Sequence, residues 1–167
     1  MRYWLPLPFE TAIQEIRTVL THALCRSEPP HPSLERTKEW LSSMINSPLN
    51  GRTDFIICLG DAGGQVIGKI GVWTTDEIGF ILHRDYWRRG LVNEALERIL
   101  QYLFSELGFE GLNADVDPRN EGSIALLSRF GFVAVKRVAR SFEVGGVWVD
   151  SLILRLEKEG WSAKSRT

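Results

Sequence analysis

The 167 residues of this chain are enough for one well-formed hydrophobic core and too few for two ordinary domains. Apolar residues make up 44% and charged residues 25%, which is typical of a soluble globular protein, and the formal net charge of −1 argues against a broad nucleic-acid footprint. No segment is apolar for long enough to span a bilayer, and the start of the chain lacks a secretory pattern. We therefore expect a cytoplasmic protein that binds neither membrane nor nucleic acid.

The first third of the chain carries two helical patterns. Apolar residues recur at helical spacing from Phe9 to Leu24, which predicts a first helix. Ser33 is a suitable N-cap for a second helix, whose apolar residues include Leu34, Trp40 and Ile45. The tryptophans Trp4, Trp40, Trp73 and Trp148 are expected in the core or in pocket walls.

Strand and helix patterns follow in alternation. The segments from Phe55 to Leu59 and from Gln65 to Trp73 flank a glycine-rich turn, as in a hairpin. The remaining predicted elements are a strand from Ile78 to Leu82, a helix from Leu91 to Leu107, a strand from Leu112 to Val116, a helix from about Glu121 to Phe130, and strands from Phe132 to Phe142 and from Val147 to Leu156. The polar tail from Glu157 onwards is expected to fray. This order predicts one α/β domain with a mixed sheet, in which the strands before and after the long helix run parallel.

The most informative segment runs from Gly79 to Val92 and reads GFILHRDYWRRGLV. An extended apolar stretch leads into an arginine-rich turn, and a helix begins directly after that turn. The unbonded N–H groups and the positive dipole end of a helix start suit a phosphate. Arg88 and Arg89 would add full charges, although they could also be an exposed surface pair with Gly90 as a plain helix boundary. The pattern favours a phosphorylated cofactor at this turn.

These residues resemble the GNAT acetyltransferase superfamily, and within it the branch that includes the ribosomal-protein N-acetyltransferases. The matching features, which cover roughly residues 64–156, are Glu77 to Leu82, Tyr86 to Val92 with Glu94-Ala95-Leu96, Asn120-x-x-Ser123, Gly131-Phe132 and Asp150. The resemblance implies a single domain over residues 1–167 with a central mixed, mostly antiparallel sheet of about six to seven strands and about four flanking helices. The sheet would be splayed between the cofactor strand and the next parallel strand.

The resemblance also implies that the chain binds acetyl-CoA with its pyrophosphate on the turn. The strand backbone would pair with the pantetheine arm and would donate an N–H to the thioester oxygen. The implied cofactor-binding residues are Phe80, Ile81, Leu82, Arg88, Arg89, Gly90, Leu91, Val92, Asn120 and Ser123. Asn120 could instead be only a turn residue after Pro118. Val92 departs from the family, which usually has glycine or alanine at this position.

Acetyl transfer requires a neutral amine, and deprotonation at pH 7 costs about 4–5 kcal/mol for a lysine but about 1 kcal/mol for an α-amine. Three carboxylates are candidate bases. Asp115 lies where the ribosomal-protein N-acetyltransferases place a glutamate, and it would act through a water molecule; it could also be an exposed strand residue. Glu77 could instead be a hairpin-turn carboxylate. Asp150 could form a structural salt bridge or could contact the substrate.

Ser123 could donate a proton to the departing thiolate, or it could be a first-turn hydroxyl that binds backbone. Leu127 stands where many members carry a tyrosine acid. The sequence thus predicts an acetyl-CoA-dependent N-acetyltransferase in which a primary amine attacks the thioester directly. The alternative is a non-catalytic acyl-CoA-binding module or sensor.

Partners and metals are less well indicated by the residues. The acceptor amine, either a small molecule or a protein N-terminus, stays open. Pairing or swapping of the final strands could make a homodimer. The cysteines and histidines show no metal-ligand spacing, so no metal is expected.

Overall fold

The computed structural model describes residues 17, 19, 31–45, 53–60, 64–73, 75–144 and 146–164. The predicted first helix lies outside the described residues except for Arg17 and Val19, which are helical. Trp4 also lies outside them. The elements in chain order are helix α1 (Leu34–Ile45), strands β1 (Asp54–Cys58), β2 (Val66–Val72) and β3 (Ile78–Leu82), a 3-10 turn (Arg84–Tyr86), helix α2 (Leu91–Ser105), strand β4 (Gly111–Val116), helix α3 (Glu121–Arg129), strands β5 (Val133–Val144) and β6 (Val147–Glu157), and helix α4 (Lys158–Lys164).

The helices and strands predicted between Ser33 and Leu156 are confirmed, with ends shifted by one or two residues. Ser33 caps α1 as expected, because its Oγ accepts the Arg36 N–H at 3.2 Å. The Cα framework forms two compact units, residues 1–73 with 80–96 and residues 74–79 with 97–167. The prediction of a single domain stays a prediction.

The first unit is built on an antiparallel sheet in the order β1-β2-β3. The central strand β2 is a nearly continuous apolar run that is buried on both faces, with Ile67 and Ile70 inaccessible to solvent. Trp40 of α1 packs against Val66, as expected for that tryptophan. Lys69, the polar exception in β2, pairs with Asp54 at 2.7 Å and lies over the Trp40 ring.

The second unit is built on an antiparallel sheet in the order β4-β6-β5, so the last strand of the chain is central. Strand β5 shifts register twice against β6, between Ala134 and Lys136 and between Val138 and Phe142. Such bulges bend a strand and turn its side chains. The core of this unit includes Leu103, Leu112 and Leu154.

A parallel bridge joins Glu77, just before β3, to Asn113 of β4. The Asn113 N–H also donates to the Asp76 carbonyl at 2.8 Å. The bridge is parallel, which confirms the direction predicted for the segments before and after the long helix. The strands of the described residues thus form two three-stranded antiparallel sheets, and the parallel bridge lies within the second unit.

The expectation that the tail frays is wrong, and so is a core position for two of the tryptophans. The tail forms helix α4, because Trp161 stacks on Phe104 and Phe130 with ring centroids 6.4 and 6.1 Å apart. Trp73 and Trp148 are 65% and 51% exposed, so neither lies in the core, and a place in a pocket wall stays a prediction for them. In the part of the chain that the structure describes, no helix is both long and apolar enough to cross a membrane.

Candidate active site

The turn after β3 is held in place by three side-chain contacts. The His83 Nδ1 accepts the Asp85 N–H at 3.3 Å and caps the 3-10 turn. The Tyr86 hydroxyl donates to the Gln65 side chain at 2.8 Å. The Trp87 indole N–H donates to the Leu82 carbonyl at 2.9 Å. These bonds fix the direction in which the chain enters helix α2.

The backbone of the turn adopts a conformation that exposes its N–H groups. Arg88 and Gly90 have φ values of 58° and 74°, both in the left-handed region. Left-handed residues in a turn create a concave array of N–H groups that suits an anion. Within the described residues, the N–H groups of residues 88–93 make no hydrogen bond, whereas the Glu94 N–H closes the first helical bond to Gly90. A Cβ on Gly90 would meet no atom within 4 Å.

Positive charge surrounds these N–H groups. Arg88 and Arg89 are both exposed, and the Arg89 guanidinium lies 5.5 Å from the centre of the Tyr86 ring. Leu91 is buried and Val92 is half-buried at the helix start, so the turn rests on the core of the first unit. Residues 88–92 together form a site that can bind a phosphate or pyrophosphate.

Strand β3 lies at the edge of its sheet. The His83 N–H donates to the Ile67 carbonyl of β2 at 2.7 Å, and the Ile81 carbonyl lies close to Gly68 of the same strand. Because backbone groups alternate in direction along a strand, the N–H groups of Phe80 and Leu82 point away from β2. Among the predicted strand residues, Phe80 and Leu82 thus offer backbone donors for an added strand, and Ile81 faces β2.

Asp115 lies on β4 with its side chain exposed. The Ser151 hydroxyl donates to the Asp115 Oδ2 at 3.1 Å, and Ser151 is itself 2% exposed. The Ser151 Oγ also lies 2.5 Å from the Ser141 Oγ. The carboxylate of Asp115 is therefore both accessible to solvent and oriented by a buried hydroxyl.

Glu77 is half-buried in the parallel bridge to Asn113. Its neighbour Asp76 carries the ion pair of this region, since the Asp76 Oδ2 accepts Arg155 Nη1 at 2.8 Å and Asn113 Nδ2 at 3.0 Å. These contacts anchor the segment before β3 to the second unit's sheet. The sequence analysis did not identify Asp76, because its partners lie 37 and 79 residues away.

Asp150 is fully engaged by the bulged strand opposite it. Its Oδ2 accepts two Arg137 N–H groups at 2.8 and 3.0 Å, and its Oδ1 accepts the Arg140 N–H at 3.1 Å. The Arg140 N–H, and then Arg137, lower the pKa of Asp150 below its ordinary value. A carboxylate with a lowered pKa is a weak base, so these contacts support the salt-bridge alternative.

Helix α3 begins at Asn120, whose Oδ1 accepts the Ser123 N–H at 3.1 Å. This is an N-cap, and it supports the turn role for Asn120. Ser123 is half-buried. Leu127, at the position of the family's tyrosine, is 1% exposed and belongs to the core.

The sequence analysis did not single out Ser151, which donates to Asp115, or Ser141, which contacts Ser151. One signal was present for Ser151. It shares the buried face of β6 with Val149, and a polar residue on a buried face needs a hydrogen-bond partner. The sequence alone could not say that the partner is Asp115.

No group of three or more metal-ligating side chains occurs among the described residues. A turn with exposed N–H groups between an edge strand and a helix defines an α/β protein with a candidate anion site beside its sheet.

The chain belongs to the GNAT family, because the model of the acetyltransferase (GNAT) domain matches residues 9–133. YjcK of Bacillus subtilis, named a probable N-acetyltransferase, is 31% identical over 86 residues, which are 52% of this chain and 48% of YjcK. The uncharacterised N-acetyltransferase p20 of Bacillus licheniformis is 27% identical over 109 residues, covering 62% of this chain and 61% of p20. The chain thus spans about half to three fifths of these relatives.

Solved structures show the same fold. The spermidine/spermine N-acetyltransferase SpeG of Vibrio cholerae superposes with a TM-score of 0.77 at 17% identity, covering 99% of this chain and 97% of SpeG. A GNAT-family acetyltransferase of Bacillus anthracis gives a TM-score of 0.74 at 18% identity, covering 95% of this chain and 94% of that one.

Proposed function

We propose that this protein is an acetyl-CoA-dependent N-acetyltransferase in which a primary amine attacks the thioester directly. The observation that carries the proposal is the row of N–H groups at residues 88–93, which make no hydrogen bond within the described residues and lie beside two exposed arginines. Membership of the GNAT family supports acyl transfer to an amine as the reaction class.

The residues of the turn fit a pyrophosphate. The N–H groups would each donate a hydrogen bond, and Arg88 and Arg89 would balance the negative charge. The open edge of β3 would pair with the pantetheine arm through the backbone of Phe80 and Leu82. Acetyl-CoA would supply an acetyl group that is activated as a thioester.

Asp115 is the base that we propose for the amine. Asp150 is engaged by Arg137 and Arg140, whereas Asp115 keeps its carboxylate exposed. In the reaction the amine nitrogen bonds to the acetyl carbon, the carbon–sulfur bond breaks, and the amine proton passes to Asp115 through a water molecule. The hydroxyl of Ser123 is the proposed proton donor to the thiolate.

The acceptor is proposed to be a primary amine of one of two kinds. A polyamine is the acceptor class named for SpeG, which shares the fold. A protein α-amine is the class implied by the resemblance to the ribosomal-protein N-acetyltransferases. The two classes differ in the free energy of deprotonation, so they depend differently on a base.

The phosphate turn is tested with a pair of matched glycine variants. Gly90 and Gly108 have φ values of 74° and 70°, and a Cβ on either one would meet nothing within 4 Å. Gly90→Asp and Gly108→Asp therefore add the same charge at the same backbone cost, but only the first lies in the turn. We expect calorimetry with coenzyme A to show lost binding for Gly90→Asp and unchanged binding for Gly108→Asp. Equal affinities would contradict the assignment.

The reaction is tested by measuring thiol release from acetyl-CoA with spermidine, a lysine side-chain analogue and an α-amine peptide. We expect turnover with at least one amine, and we expect Asp115→Asn to lower kcat more for lysine-like acceptors than for α-amines. Calorimetric binding without turnover across the panel would favour the non-catalytic module. Equal and small effects on both acceptor classes would exclude Asp115 as the base.

A further inference from the structure

Three polar side chains form a connected row across the second sheet. Asp115 lies on β4, Ser151 on the central strand β6 and Ser141 on β5, which is the order of the strands in the sheet. The Ser151 hydroxyl lies 3.1 Å from the Asp115 Oδ2, and the two serine oxygens lie 2.5 Å apart. The register shift between Val138 and Phe142 occurs at the point where β5 brings Ser141 to this row.

The direction of these hydrogen bonds follows from the donors that are present. An ionised carboxylate can only accept, so the single hydroxyl hydrogen of Ser151 is directed at Asp115. Ser151 can then only accept from Ser141. The Ser141 hydroxyl has two acceptors within reach, the Val149 carbonyl at 3.4 Å and the Ser151 Oγ at 2.5 Å, and the shorter contact favours Ser151. Hydrogen bonds aligned in this way strengthen one another. Ser141 therefore donates to Ser151, and Ser151 donates to Asp115.

We propose that Ser151 is a positioning residue for Asp115. Ser141 donates to Ser151 and so keeps the Ser151 hydroxyl hydrogen directed at the Asp115 carboxylate. The inference rests on the proposed function, because it takes Asp115 to be the base. Asp115 is exposed, and a hydrogen bond from a buried group restricts the rotamers that an exposed side chain samples. The bond from a 2% exposed serine holds the Oδ2 of the carboxylate in one direction.

The alternative is that the two serines only stabilise the sheet. A buried hydroxyl needs a partner, and a bond between Ser141 and Ser151 alone would meet that need. A purely structural pair would therefore affect stability and not the chemical step. Measuring both kcat and stability therefore distinguishes a positioning role of Ser151 from a purely structural one.

The test compares four single variants by kcat and KM with the best amine of the panel. We expect Ser151→Ala to lower kcat about tenfold, as for the loss of a hydrogen bond to a charged group, with KM for acetyl-CoA unchanged. Ser151→Thr keeps the hydroxyl and should recover most of the rate. Ser141→Ala should cause a smaller loss of about two- to threefold, because it acts through Ser151. Ser105→Ala, an exposed serine of the same unit, should cause none.

A double-mutant cycle gives the decisive comparison. If Ser151 acts through Asp115, Ser151→Ala should have no further effect on kcat in an Asp115→Asn background. Additive losses, or a Ser151→Ala rate equal to that of Ser105→Ala, would overturn the inference while leaving the acetyltransferase proposal in place. Absence of turnover with every amine would overturn both. Thermal unfolding of each variant shows that the comparison is made on folded protein.

Discussion

Two arginines in the described chain adopt a backbone conformation that normally favours glycine. Arg88 and Arg140 have φ values of 58° and 48°. An L-residue in the left-handed region costs roughly 1–2 kcal/mol, and such strain persists where the surrounding structure requires it. Arg140 presents its N–H to Asp150, whereas Arg88 lies in the turn whose N–H groups make no bond. Both arginines thus adopt an unfavourable backbone conformation, Arg140 beside a salt bridge and Arg88 in the turn before helix α2.

Glycine substitution at these two positions separates strain from binding. We expect Arg88→Gly and Arg140→Gly each to raise the free energy of unfolding by about 0.5–1 kcal/mol, because strain relief exceeds the entropy cost of glycine. Only Arg88→Gly should weaken coenzyme A binding, through the loss of one charge at the turn. Urea unfolding and calorimetry measure the two effects. A coenzyme A affinity that falls equally in both variants would contradict a specific role for Arg88.

At the scale of helices and strands, the bounds were predicted best where the apolar pattern is long or ends sharply at polar residues. Strand β3 was predicted at its observed bounds, since a polar turn and an arginine-rich turn enclose its apolar run. Helix α4 was not predicted, because its seven residues include Gly160 and only one large apolar side chain. The row from Ser141 to Asp115 could not be predicted either, since it depends on a register shift in β5.

The β5–β6 bulge should make stability depend on pH through Asp150. A group whose pKa is lowered in the folded state stabilises it above the unfolded pKa, and this contribution is lost as the pH falls. We therefore expect Asp150→Asn to lower Tm at pH 7. The Tm difference from the wild type should shrink as the pH falls below the ordinary aspartate value of 3.8 and passes through the lowered pKa. Arg137→Ala should follow the same trend. A Tm difference that is constant from pH 7 to pH 3 would exclude the ion pair as its cause.

At the scale of the whole molecule, the residues after 133, which the family model does not match, contribute two strands and a helix to the second unit. The match ends at residue 133, yet β6 is the central strand of the β4-β6-β5 sheet. Helix α4 then adds Trp161 against Phe104 of α2 and Phe130 after α3. The family match therefore includes the arginine-rich turn that we propose binds the cofactor, while the packing of the second unit depends on residues beyond the match.

Replacing Trp161 measures how much helix α4 contributes to the stability of the second unit. The half-buried ring of Trp161 stacks on two phenylalanines, and aromatic truncation in such a setting removes both buried area and ring contacts. We expect Trp161→Ala to lower the free energy of unfolding by about 2 kcal/mol, measured by urea denaturation. Trp148→Ala is the matched control, since Trp148 is 51% exposed and its removal should change the free energy by less than about 0.5 kcal/mol. Equal losses in the two variants would mean that α4 does not stabilise the second unit through this stack.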